Sequence, residues 1–180
     1  MPIDRASRRA LELTETQRGD EGAGTLLATL DRTSTALGAR LLRDWILTPL
    51  TSVDAIRERH DAVEEIAEDG DLLERVVELL RQVHDVERIC TRISYRCASA
   101  RDLVALLRTM EVIPSIRETV ARRESAFLCR AANRLRVPED LRDEIAKAIV
   151  EAPPLAVKEG GIIREMLVRA ADSHDPLHLH

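Results

Sequence analysis

Aromatic residues are almost missing from this 180-residue chain: it has one Trp, one Tyr and one Phe, 2% of the total. With 44% hydrophobic residues, any core must be aliphatic. Glycine is also scarce, at 7 residues, and no Gly is followed by Lys. A G-x-x-x-x-G-K-[ST] phosphate loop, which needs clustered backbone amides and a lysine at the phosphates, is therefore excluded. Cysteine is limited to positions 90, 97 and 129, an odd number with no C-x-x-C pair. That pattern fits free thiols in a reducing compartment rather than a disulfide scaffold. No apolar run approaches about 18 residues and no basic-then-apolar leader opens the chain, so neither a membrane span nor a signal peptide is expected, and the expected location is cytoplasmic. Positive charge is not in excess: 27 Lys+Arg stand against 32 Asp+Glu, a net charge of −5. Phosphate neutralisation dominates nucleic-acid affinity, so this balance argues against tight DNA binding by the chain alone, while leaving room for a local basic stripe.

What is present is helical periodicity. Residues 25–50 read as a short helix, a polar turn, a second helix and a proline stop. Thr35 suits an N-cap. Leu37, Leu41, Leu42, Trp45 and Ile46 then recur at helical spacing, and Pro49 ends the run. Val53, Ile56, Val63 and Ile66 predict a helix capped by Thr51 or Ser52 and ending near Gly70. Leu72, Leu73, Val76, Val77, Leu79, Leu80 and Val83 form a wide stripe on the next helix. Val86, Ile89, Cys90, Ile93 and Cys97 continue after a bend near His84-Asp85. Ser99 and Asp102 resemble a capping box opening a helix whose core face is Leu103, Leu106, Leu107, Met110 and Ile113, as far as Pro114. Residues 117–136 are polar and read as helix continuation plus linker. Pro138 suits a first helical turn ahead of Leu141, Ile145 and Ile149, with Pro153-Pro154 as the stop. Leu155–Val157 and Ile162-Ile163 flank Lys158-Glu159-Gly160-Gly161, turn chemistry for a small β-hairpin. The expected fold is an all-α array with one β-hairpin near the C-terminus.

No catalytic, cofactor or metal site is assigned from the residues. Cys90 and Cys97 lie seven apart, on one face of a continuous helix, with His84 nearly two turns upstream; they read as core thiols, since a metal would need further ligands. Cys129 has no basic neighbour beyond Arg130 and reads as inert. His174, His178 and His180 form H-x-x-x-H-x-H at a solvated terminus, where metal binding would be adventitious. Asp85, Glu87 and Arg88 read as caps and ion pairs rather than acid–base machinery. Glu74, Glu78, Arg75 and Arg81 read as a solvated face, and Ser94, Ser99 and Ser115 as caps or surface. Arg8, Arg9, Arg40 and Arg43 could touch phosphate, or pair with nearby acids.

The string Thr25–Leu50, TLLATLDRTSTALGARLLRDWILTPL, resembles L-D-R-T-x-T-x-x-G-x-R-L-L-R-x-W-[IL]-x-x-P-L, which opens the core or lever domain (domain III) of the MutS family of DNA mismatch-repair ATPases. Arg8-Arg9-Ala10-Leu11-Glu12-Leu13-Thr14 is similar to the family's R-R-N-L-E-[LI]-T, with Ala10 in place of Asn. Residues 57–65, RERHDAVEE, the segment Asp85-Val86-Glu87-Arg88 with Ile93, and Ala152-Pro153-Pro154 with Gly160-Gly161-Ile162-Ile163 resemble three further family segments in the same order. The resemblance covers residues 4–164, and 165–180 reads as a divergent, flexible tail. Phe127, the only Phe, sits in F-L-C-R and does not match the family's mismatch-reading segment. The resemblance implies a structural lever relaying between ATPase and DNA clamp in an intact protein. It further implies that ATP and Mg act only in intact members, and that DNA is met weakly or within a larger assembly. The alternative is a helical module that associates with itself or with a MutS-type protein. An enzyme has no motif behind it.

Overall fold

The computed structural model describes residues 3–18, 23–154 and 162–163. Among them are nine α-helices: α1 (Arg5–Ala10), α2 (Leu26–Leu30), α3 (Ala36–Leu47), α4 (Val53–Glu68), α5 (Gly70–Leu80), α6 (Val86–Ser94), α7 (Ala100–Ala121), α8 (Ala126–Arg134) and α9 (Glu139–Ala148). The fold is all-α. The one β feature among the described residues is an antiparallel bridge between Ile149 and Ile163, where the Val150 N–H donates to the Ile162 carbonyl at 3.1 Å. Ile162-Ile163 thus pairs with the chain just before Pro153-Pro154. The other arm of the expected hairpin, 155–157, and its turn, 158–161, lie outside the described residues, as does 165–180.

The chain forms two compact units. The first comprises Met1–Arg81 and Ser115–Arg134, the second Gln82–Pro114 and Leu135–His180, so α7 contributes residues to both.

In the first unit, polar residues of the 25–50 block build the backbone. Asp31 Oδ1 accepts from the Thr33 amide at 2.9 Å and from its hydroxyl at 2.7 Å, closing the turn. Thr35 Oγ1 then caps α3 by accepting from the Gly38 amide at 2.9 Å. A Cβ at Gly38 would come within 3.1 Å of that same Oγ1 and 3.4 Å of Thr33 Cβ, which is why the cap has glycine at its fourth position. Thr25, only 2% exposed, caps α2 through the Ala28 amide. The Arg59 guanidinium of α4 stands 3.7 Å over the Trp45 ring of α3, a cation–π contact.

Helix α4 is capped by Ser52 and ends at Glu68, near Gly70 as expected, and Gly70 itself opens α5, because Asp69 caps α5 through the Leu72 amide at 2.9 Å. Three elements depart from the sequence expectation. Asp85 is likewise a cap, accepting from the Arg88 amide at 3.2 Å, so α5 and α6 are separate helices and not one bent one. Helix α7 runs through Pro114 to Ala121, with Pro114 exposed, where a missing amide and a freed carbonyl face water. Part of the polar stretch 117–136 forms α8, which buries Leu128 and Ala132, four residues apart on one face. Its start is fixed by Glu65 of α4, whose carboxylate accepts from the Glu124 and Ser125 amides at 3.0 and 2.8 Å.

The second unit closes on an aliphatic cluster of Ile89, Leu106, Met110 and Ile145, with Val86, Leu103 and Ile149 packed around it. The Ser99–Asp102 capping box is present. Asp102 Oδ2 accepts from the Ser99 amide at 2.6 Å and its hydroxyl at 2.7 Å, and Ser99 Oγ accepts from the Asp102 amide at 3.3 Å.

Candidate functional site

Three concavities differ in what their charges do. In the first unit, a cavity of about 500 Å³ lies against α4 and α8. Its Arg130 is paired with Glu58 at 2.5 Å and its Arg59 is stacked on Trp45. In the second unit, a cavity of about 530 Å³ includes His84, Arg101, Arg108 and Pro153. There Arg101 Nε donates to the Pro153 carbonyl at 3.3 Å, beside the exposed Glu151.

The third, about 310 Å³ and within the first unit, is lined by Arg5, Arg8, Arg9, Thr14, Glu15, Arg43 and Leu47. Local sequence builds it from three directions. Asp4 caps α1 through the Ser7 amide at 3.0 Å, which sets Arg5, Arg8 and Arg9 on one short helix. The Ile3 amide donates to the Leu47 carbonyl at 3.1 Å and so ties α1 to the end of α3. Arg43 and Leu47, four apart, share one face of α3. Arg8 Nε donates to the Ile3 carbonyl at 2.6 Å and Arg9 Nη2 to the Gln17 carbonyl at 3.0 Å. Both guanidinium groups are thereby oriented by neutral oxygens. Among the described residues, no carboxylate forms an ion pair with any of the four arginines. Glu12 is turned away to the Gln17 amide at 2.8 Å, and Glu15 at the wall is exposed.

Of the four arginines read from sequence as phosphate candidates, Arg8, Arg9 and Arg43 therefore line one pocket. Arg40 is exposed, has a partner of its own and does not line the pocket. Arg5 completes the set. Its signal was available in R-x-x-R-R, where positions three and four apart share a helix face.

The remaining candidates disperse. Cys97 lies beyond the end of α6, which stops at Ser94 and is followed by Arg96 at φ +55°, so Cys90 and Cys97 do not share a helix face. Both are exposed, so the core-thiol expectation is overturned. Their helix buries Ile89 instead, and the short α6 turns Cys90 outward. Cys129 is half-buried, with Sγ 3.1 Å from the Arg123 carbonyl. His84 is exposed, and its amide donates to Thr109 Oγ1 at 3.0 Å. No cluster of metal-ligating residues occurs among the described residues; His174, His178 and His180 lie outside them. Asp85 is a cap; Glu87 and Arg88 are exposed. Glu78 pairs with Arg75 at 3.5 Å on the solvated face of α5, where Glu74 and, just past the helix end, Arg81 are also exposed. Ser94 Oγ donates to the Cys90 carbonyl, Ser99 is a cap, and the Ser115 carbonyl accepts from Thr119. No described helix is long and apolar enough to cross a membrane.

The chain is similar to proteins called DNA mismatch repair protein MutS. It is 41% identical over 165 residues to that of Lachnoclostridium phytofermentans, covering 92% of this chain and 18% of the relative. It is 43% identical over 165 residues to that of Acetivibrio thermocellus (92% and 19%), and 39% over 170 residues to that of Synechococcus elongatus (94% and 19%). The chain thus spans about a fifth of the length of the curated relatives it matches. A family model, MutS domain III, matches residues 6–176, which takes the likeness past the last motif at Ile163. The helical array, the capped 25–50 block and this match agree: the chain belongs to the MutS domain III family.

Proposed function

We propose that this chain serves as the lever segment of a MutS-type mismatch-repair protein, carrying nucleotide state to DNA grip without hydrolysing ATP itself. The observation that carries this reading is the use made of the 25–50 block. Asp31, Thr33, Thr35 and Gly38 are all spent on closing a turn and capping α3, and Trp45 is spent on Arg59. Residues so used stiffen a frame; none is left pointing at a reacting atom. A relay needs such rigid elements, whose arrangement both distant sites bias. The sequence also has no phosphate loop for ATP.

The test is a chimera in which residues 6–176 replace the matching segment of the Acetivibrio thermocellus relative. The chimera should keep ATP-driven release from DNA. A three-glycine insertion after Leu42, within α3, should uncouple hydrolysis from release while each remains measurable. Release that still follows ATP after the insertion would overturn the lever reading.

A second reading, self-association, is favoured by one observation. Leu30, Leu41 and Val63 are 51%, 50% and 65% exposed, a high apolar exposure for α2, α3 and α4. Sedimentation over a concentration series separates the two: a dimer that weakens on Leu41→Glu supports self-association, and a monomer at every concentration removes it.

A further inference from the structure

The 310 Å³ pocket beside α1 is lined by four arginines and, among the described residues, by a single carboxylate, the exposed Glu15. Among the described residues, no carboxylate forms an ion pair with these arginines. Several arginines elsewhere pair with acids or rings, as Arg123 does with Asp69 at 3.3 Å, Arg130 with Glu58, and Arg59 with Trp45. Arg8 and Arg9 are instead held by backbone carbonyls, which fix their planes and leave their charge. Arg43 is half-buried and Thr14, on the pocket wall, is buried, so the site is partly shielded from solvent screening.

We infer that this pocket is a phosphate site, taking a phosphate group into the space between Arg5, Arg8, Arg9 and Arg43. The planar fork of arginine matches the oxygens of phosphate or carboxylate. A carboxylate offers two oxygens and one charge, enough for one fork. Four arginines lining one pocket from α1 and α3 favour a ligand with three or more oxygens and more than one negative charge. The buried Thr14 hydroxyl would add a neutral donor. The phosphate can belong to a nucleic-acid backbone or to a small phosphate ester, and the chemistry at the pocket is the same. This inference rests on the pocket alone and stands or falls independently of the lever reading.

The experiment is calorimetric titration of the full chain with pyrophosphate at constant ionic strength, with inorganic phosphate in a parallel series. Binding should saturate at one site per chain. The double variant Arg5→Gln with Arg43→Gln should weaken it about tenfold or more, as expected for loss of charge-assisted bonds. Neither side chain makes a hydrogen bond among the described residues, so the variant should keep its circular-dichroism spectrum. Arg43→Lys, which keeps the charge and loses the fork, guards against misfolding and should weaken binding by a smaller factor. Arg108→Gln, on the other unit's cavity, should change nothing. A short DNA duplex that displaces pyrophosphate assigns the phosphate to a nucleic-acid backbone, and failure to displace it assigns a small phosphate ester. Binding that survives the double variant, is lost equally in Arg108→Gln, or is displaced equally well by a polyglutamate peptide would overturn the inference.

Discussion

In the unit of Gln82–Pro114 and Leu135–His180, helices meet through methyl groups: Ile89, Leu106, Met110 and Ile145 touch one another and exclude water. In the unit of Met1–Arg81 and Ser115–Arg134, helices meet largely through directed polar bonds. Glu65 receives the start of α8, Asp69 both caps α5 and pairs with Arg123, Glu58 pairs with Arg130, and Arg59 covers Trp45. These bonds act beside apolar burial, as at Leu72, Leu79 and Leu128. Burial is non-directional and roughly proportional to area, so an aliphatic cluster tolerates small shifts. A carboxylate receiving two amides fixes position and register. The contrast shows how charge is used: the polar unit places several charged side chains between its own helices, and the arginines lining the pocket beside α1 are not among them.

The largest effect should come from the aliphatic side. Ile145→Ala should cost about 2–5 kcal/mol, read as a lowered urea midpoint; a cost below that of any polar substitution would break the comparison. Glu65→Ala leaves the Glu124 and Ser125 amides without acceptors and should cost about 1–3 kcal/mol. Amide exchange of Ser125 and Leu128 should rise first, and unchanged exchange there would show that α8 does not depend on its distant acceptor.

Ser99→Ala should cost about 1 kcal/mol through loss of the α7 cap. The same substitution should alter the acid limb of stability. Burial raises the Asp102 pKa, but the bonds from the Ser99 amide and hydroxyl, with the charges of Arg92 and Arg88, outweigh it and hold the carboxyl below its ordinary 3.8. A depressed carboxylate stabilises the fold above its unfolded value, and the contribution is lost as pH falls from about that value through the lower folded one. Acid titration should therefore show less stability lost below pH 3.8 in Ser99→Ala than in the parent chain. The smallest effect belongs to the solvated face of α5. Arg75→Ala should change the urea midpoint by no more than about 0.5 kcal/mol, because the Arg75–Glu78 pair is exposed at both ends.

Much of this was readable from the chain. Thr35, Ser99 and Pro138 each announce a helix start, and the 25–50 block carries a turn, a cap and a stop within a few residues, so local chemistry sufficed. Gly70 signals the end of α4 in the sequence and also opens α5, because Asp69 caps forward. Misreadings fell where the deciding partner is distant in sequence or where a helix stops short. Helix α8 is short and lies in a stretch rich in charge, and its start is received by Glu65, some sixty residues earlier. Cys90 and Cys97 share a face only if α6 continues, and the positive φ at Arg96 ends it.

The all-α class, the caps and the family are written locally in the chain, because hydrophobic period and side-chain-to-backbone bonds act within a few residues. Which arginines stay without an acid partner is settled by packing. Whether Arg43 meets an acid, a ring or an open pocket depends on Ile3 tying α1 to the end of α3. Charge is a property of the residue, but its compensation is a property of neighbours brought from elsewhere in the chain.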